Sequence, residues 1–249
     1  MKQKLLTDSE LRAHWSQTRS GTCCVEEGTI LTPAARDFLR DHNITLTVSS
    51  GASPAVMSRT PVPTREGKAI YIDQATGREL DHKPEEMTHL HGNVLVPKTH
   101  PQIEFRGRLD SLMAQMLGVQ LVAHEMGLTQ VCSDVDELLG YTRSILAAEV
   151  KNEPVPQIHL MGMDSAQIRY NSHHVKEVFG IDHPVPHYSM GRMCVALNRL
   201  RTQVREVELS AARTFSENGV FRRTDIIEGL NRLSSCVYII FCRTLSQQK

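Results

Sequence analysis

The 249-residue sequence predicts a mainly α protein: a five-helix bundle from about residue 104 onward, preceded by a small mixed α/β N-terminal extension. Two apolar rows carry this expectation. Met193, Leu197, Leu200, Val204, Val207 and Ala211 step alternately by four and three residues, and Ile226, Leu230, Leu233, Val237, Ile240 and Thr244 repeat those steps. Heptad rows of this kind pack long helices at shallow angles, as in a bundle. The composition agrees. With 40% apolar and 22% charged residues, the chain can bury a real core.

In chain order, Leu5–Gln17 is expected as a first short helix. TPAARDFLRDHNI (32–44) is a clearer one, with Thr32 as N-cap, Pro33 in the first turn and Phe38, Leu39 and Ile44 making apolar contacts. ITLTV (44–48) alternates like a strand. The stretch 49–67, with Pro54, Pro61 and Pro63, reads as a linker or exposed loop. AIYIDQATGREL (69–80) reads as a hairpin turning near Gly77. Phe105, Leu109, Leu112, Met116 and Val119 then make the first bundle stripe. A capping box at Ser133 and Asp136 opens the second helix and Pro154 stops it. A third helix runs from about Asp164 to Phe179, ended by Gly180, and the loop GIDHPVPHYSMG cannot be regular. The last two helices carry the heptad rows, the second after Thr224 as N-cap. The domain boundaries expected are 1–67 for the extension and Pro-rich linker, 68–96 for a hairpin and connector, and 97–249 for the bundle.

Composition also narrows function. Lys+Arg 28 against Asp+Glu 28 gives no net charge, and aromatics are only 5%. Neither a basic field nor ring platforms are available, so nucleic acid is not the expected partner. The N-terminal residues lack an apolar signal core, and no apolar run reaches the ~18 residues of a membrane span. A cytoplasmic protein without membrane contact is expected, with its six cysteines as free thiols. Neither Cys23-Cys24 nor the twelve histidines show zinc spacing, so no protein-bound transition metal is expected.

The informative polar residues lie beside the apolar rows. Asn198, Arg201, Arg205 and Glu208 share one face of the fourth helix. Like charges at i and i+4 repel, so Arg201 and Arg205 need compensation. Glu208 with solvent would be the ordinary source, and a carboxylate from elsewhere plus a polyanionic ligand the functional one. Asn231, Ser234, Ser235 and Tyr238 flank the row of the fifth helix. Lys98 and Thr99 precede the first bundle helix, where free N–H groups and a lysine suit phosphate, although no P-loop is present. Asp110 flanks the first stripe, placed to meet a basic group or simply solvent.

THPQIEFRGRLDSL (99–112), LRTQVREVEL (200–209) and GLNRLSSCVYII (229–240), in this order, resemble the ATP:cob(I)alamin adenosyltransferases of the five-helix-bundle type. Propanediol-type members carry KDDPRIEALGTLDEL, RTxCRRAER and LNRLSDYLF at these places. The ethanolamine-utilization type is the nearer match, because it too has an N-terminal extension with a TPxARxFL-like helix. The resemblance covers nearly the whole chain. It implies that Asp110, Arg201 and Arg205 are the catalytic set, with Asp110 pairing across a subunit boundary with Arg201. Lys98, Thr99, Arg205, Glu208 and Asn231 would then bind ATP, and the chain would form a homotrimer with interfacial sites. Val185, His187 and Tyr188 fall where propanediol-type members place an apolar wedge facing the corrinoid.

There are departures. Glu206 stands in place of a second arginine, Ser235 replaces an aspartate, and the TKTGD loop is missing. The His…CCxxC motif of some ethanolamine-type members is absent too, since no cysteine lies between Cys24 and Cys132. The implied reaction moves the 5′-deoxyadenosyl group of ATP, with its Mg²⁺, onto Co(I) of cob(I)alamin and releases triphosphate, making adenosylcobalamin for ethanolamine ammonia-lyase. A flavoprotein reductase as electron donor and association with a bacterial microcompartment belong to the same expectation. The alternatives are a non-catalytic corrinoid-binding protein and a microcompartment-associated helical scaffold.

Overall fold

The computed structural model describes residues 68–248 without a break and, before them, residues 5–6, 22–26, 30–32, 35, 39, 45–49 and 64–65. The chain divides into two compact units, Met1–Arg59 and Thr60–Lys249.

In the first unit, β1 (Leu5–Leu6) pairs in parallel with β3 (Ile30–Leu31), and β2 (Thr22–Glu26) with β4 (Thr45–Ser49). The helix expected at 5–17 therefore begins as a strand, and its remainder lies outside the described residues. The strand expected at 44–48 is β4, shifted by one residue, while β2 carries the Cys23-Cys24 pair. Thr32 does act as a cap: the Ala35 N–H donates to its Oγ1 at 3.2 Å. Ala35 and Leu39 are buried. Pro33, Phe38 and Ile44 lie outside the described residues, as does the stretch 50–63.

The second unit opens with two short antiparallel strands, β5 (Thr64–Arg65) at the end of the stretch expected as linker and β6 (Lys68–Ala69) just after it. A four-stranded sheet follows in the order β8 (Glu79–Leu80), β7 (Tyr71–Asp73), β10 (Val94–Pro97), β9 (Met87–His91). The β7–β8 hairpin turns as expected at Gly77, whose φ of 69° suits a residue without Cβ. Asp73 stabilises the turn by accepting from the Ala75 N–H and the Thr76 hydroxyl. The β7–β10 pair is parallel and β10–β9 antiparallel. Leu90, Leu95 and Val96 are buried, the last two on opposite faces of β10.

The bundle comprises α1 (Pro101–Glu125), α2 (Thr129–Lys151), α3 (Ser165–His173), α4 (Val175–Phe179), α5 (Gly191–Thr214) and α6 (Thr224–Ser246). Every residue of the three apolar rows is buried. Each large aliphatic side chain so buried contributes about 1.5–3 kcal/mol by transfer from water. Truncating a central one such as Leu197 to Ala would add a cavity cost, about 2–5 kcal/mol in all. Helices α1 and α5 run antiparallel, tied at one end by the Thr214 hydroxyl donating to the Pro101 carbonyl and at the other by Arg192 and Glu125. Phe105 and Phe215 pack edge to face, with centroids 5.4 Å apart.

Three expected boundaries differ. Helix α2 starts at Thr129, so Ser133 sits inside it rather than capping it. The neighbouring Asp134 turns into the core and pairs with Arg243 of α6. The third helix breaks in two at His174, which leaves helical geometry at φ −110°, ψ 47°. It does open on a capping box, Asp164 with Gln167, and Gly180 does end the second piece with φ 68°. Thr224 is the first residue of α6, not its cap. Asp225 fixes that helix end instead, accepting from the Val155 N–H and from Arg223.

Candidate functional site

The turn from β10 into α1 carries Lys98 and Thr99, both exposed. Its geometry is set on two sides. The Lys98 N–H donates to the Glu86 carbonyl at 2.9 Å, and His100 caps α1 by accepting from the Gln102 N–H. Partial burial, then the charge of Arg106, pull the His100 pKa below its usual value, which keeps the ring neutral and able to accept. The Lys98 ammonium lies 3.1 Å from Glu85 Oε1 at the surface, a pair that solvent weakens and an anion can displace.

Beneath this turn lies a buried clamp. Glu149 of α2, with its side chain wholly shielded, accepts from Arg106 Nε at 2.6 Å and from Gln102 Nε2 at 3.1 Å. Arg106 also donates to the carbonyls of His89 and Leu90 on β9. One guanidinium thus fastens the sheet to two helices.

On α5 the arginine stripe pairs with no carboxylate among the described residues. Arg201 donates to Asn198 Oδ1 at 3.2 Å, and its guanidinium stands 5.9 Å from the centre of the Tyr238 ring. Arg205 is exposed and, among the described residues, forms no hydrogen bond or ion pair. Glu208, the ordinary source of compensation, accepts instead from Asn231 Nδ2 at 2.9 Å across the α5–α6 seam. The hydroxyls of Ser234 and Ser235 turn back to the Asn231 carbonyl. Asp110 is exposed on α1 and likewise forms no hydrogen bond or ion pair among the described residues.

The loop before α5 ends at this stripe. Pro186, His187, Tyr188 and Met190 form one wall of a pocket of about 190 Å³, and Cys194, Val195, Asn198 and Phe241 form the others. Val185 and Tyr188 are 81% and 82% exposed. His187 is held by Ser189, whose N–H donates to its Nδ1. Tyr238 stacks on Phe241, and its hydroxyl lies 3.0 Å from Nδ1 of His183. Burial first, then the Cys242 thiol, push the Tyr238 phenol up to about 12, so it stays protonated.

The expected residues therefore form two groups. Asn198 joins the 186–190 loop to Arg201, and Glu208 joins Asn231. Within one chain, no ion pair or hydrogen bond joins Asp110 to Arg201 or Lys98 to Arg205. Val185 is not in the pocket wall. His183 and Phe241 carry no motif that marks them, and only Tyr238 was marked by its place beside the heptad row. Cys132, Cys194, Cys236 and Cys242 are free thiols, as expected. Among the described residues no three His, Cys, Asp or Glu side chains gather as a metal site, and no helix is long and apolar enough to cross a membrane.

The chain is similar to two corrinoid adenosyltransferases named EutT. That of Escherichia coli (strain K12) is 27% identical over 98% of this chain and 93% of its own length. That of Salmonella typhimurium is 28% identical over 97% and 92%. No solved structure gives a significant match. The family model for cobalamin adenosyltransferases matches residues 80–244. That span takes in the Lys98 turn, Asp110, the α5 arginines and the Glu208–Asn231 seam, and the chain belongs to the cobalamin adenosyltransferase family.

Proposed function

We propose that this chain transfers the 5′-deoxyadenosyl group of ATP to Co(I) of cobalamin. The cobalt supplies the electron pair for the new Co–C5′ bond and becomes Co(III). The C5′–O bond breaks, and its electrons leave on triphosphate. The corrinoid is thus its own nucleophile, so the protein's work is to orient the two substrates and stabilise the leaving charge.

The observation that carries this reading is the arginine pair on α5, which meets no carboxylate among the described residues and runs up to an apolar pocket. Arg205, unpartnered and exposed, is suited to the triphosphate. Lys98 joins it by exchanging Glu85 for phosphate, together with the Mg²⁺ that ATP carries. Thr99 lies beside the α1 N-terminus, where N–H groups favour an anion. Asn231, oriented by Glu208, is suited to the nucleoside. Arg201 takes its missing carboxylate from Asp110 of a second copy, which makes a homotrimer with sites at its interfaces. The loop at Val185, His187 and Tyr188 faces the corrinoid. The adenosylcobalamin serves ethanolamine ammonia-lyase, with a flavoprotein reductase supplying Co(I), in the cytoplasm and in association with a microcompartment.

The test is to mix the protein with chemically reduced cobalamin and MgATP and follow the cob(I)alamin spectrum. Conversion to adenosylcobalamin supports the reading. Binding of cobalamin without conversion would indicate a delivery protein, and no interaction a scaffold.

A further inference from the structure

We propose that His183 is a positioning residue, which through the Tyr238 hydroxyl sets the 180–191 loop and the Arg201 guanidinium in one arrangement. The inference rests on the corrinoid site proposed above. Five contacts carry it. His183 Nδ1 and the Tyr238 hydroxyl share a hydrogen bond at 3.0 Å, linking residues 55 apart in sequence. Their rings lie nearly parallel, 8° apart with centroids at 6.2 Å. The same Tyr238 ring carries Arg201 over its face and stacks on Phe241, which lines the pocket. Arg201 in turn bonds Asn198, another residue of that wall.

The loop needs such a tie. Ile181 is buried, but His183 is exposed and the tip at Val185–Tyr188 stands in solvent. A proline-rich tip of this kind is ordered only by its attachments. The phenol is a suitable anchor because it remains neutral and is itself fixed by stacking on Phe241. When His183 lets go, the tip loses its register with the pocket, while Lys98 and Arg205, which touch none of these side chains, keep theirs.

The experiment compares wild type with His183→Ala, His183→Asn and Tyr238→Phe, and with the double variant His183→Ala/Tyr238→Phe. One neutral hydrogen bond corresponds to about a two- to tenfold effect. His183→Ala and Tyr238→Phe should each raise KM for cob(I)alamin by that factor and leave KM for ATP unchanged. The double variant should fall well short of the sum of the two single ones, because the His183–Tyr238 hydrogen bond is lost in both. Asn at 183 should recover part of the loss. Amide hydrogen exchange supplies a readout independent of turnover: peptides covering 181–190 should exchange faster in both single variants, with α5 and α6 unchanged. Unaltered exchange in that segment, additive effects, or equal rises in both KM values would overturn the inference. A wild-type protein that adenosylates nothing would overturn the proposed function instead, and the exchange result would still decide whether His183 holds the loop.

Discussion

Replacing Arg106 with Leu should destabilise the bundle unit more than any single surface change. The Glu149 carboxylate has no exposed side-chain surface, and Arg106 donates to it through Nε at 2.6 Å and Nη2 at 3.3 Å. Removing the arginine strands that carboxylate away from water with only Gln102 as donor, and takes a donor from each of the His89 and Leu90 carbonyls. Stranding one partner of a buried pair costs about 3–5 kcal/mol, whereas replacing both by apolar groups is often neutral. Arg106→Leu should therefore lose about 3–5 kcal/mol, and Arg106→Leu/Glu149→Leu should regain most of it. Urea unfolding followed by far-UV circular dichroism is the appropriate assay, since most of the helical signal arises from α1–α6. The single tryptophan, Trp15, belongs to the other unit and would report on that one. A cost below about 1 kcal/mol for the single variant, or a double variant as poor as the sum of the two singles, would refute the clamp.

Three further outcomes follow from the same geometry. Lys98→Ala and Arg205→Ala should each lower kcat/KM by ~2–4 kcal/mol of transition-state stabilisation while leaving the circular dichroism spectrum intact, because neither belongs to an apolar row; near-normal kcat/KM in both would move the phosphate site elsewhere. Asp110→Ala and Arg201→Ala should each weaken self-association in sedimentation and lower adenosylation, and the double variant should be less impaired than their sum; strictly additive effects would show that the two residues do not meet between chains. Asp225 is held at about 2, chiefly by Arg223, against its own partial burial. A carboxyl depressed in the folded state contributes stability above its unfolded value of 3.8 and loses it as pH falls towards 2, so Asp225→Asn should flatten the acid unfolding curve between those limits, and an unchanged curve there would exclude the pair as a source of acid sensitivity.

Periodicity made the bundle readable. Wherever apolar residues recur at three and four, as in the rows beginning at Phe105, Met193 and Ile226, the helix buries that row and its length follows. Boundaries were harder, because capping residues have other uses. Ser133 and Asp136 fit a capping pattern, yet the chain has already turned helical at Thr129 and Asp134 is needed against Arg243. Strands β9 and β10 are not legible in the sequence, because runs of five and four residues show too little alternation. The arginine stripe was visible as a like-charge pair on one face, and its lack of a carboxylate followed only when Glu208 proved to be bonded to Asn231. His183 was not readable at all, since nothing local signals a partner 55 residues away. The Arg106–Glu149 clamp was hidden for a related reason: it exists only once α1, α2 and β9 enclose the two side chains.

The most direct test follows the C5′ carbon. ATP labelled with ¹³C at C5′ is incubated with the protein and cob(I)alamin, and the corrinoid and phosphate products are separated. The account predicts that the label appears in the corrinoid, one label for each triphosphate released, and that Arg205→Ala slows both together. Release of ADP and phosphate with no label in the corrinoid, or cobalamin binding with ATP left whole, would contradict it.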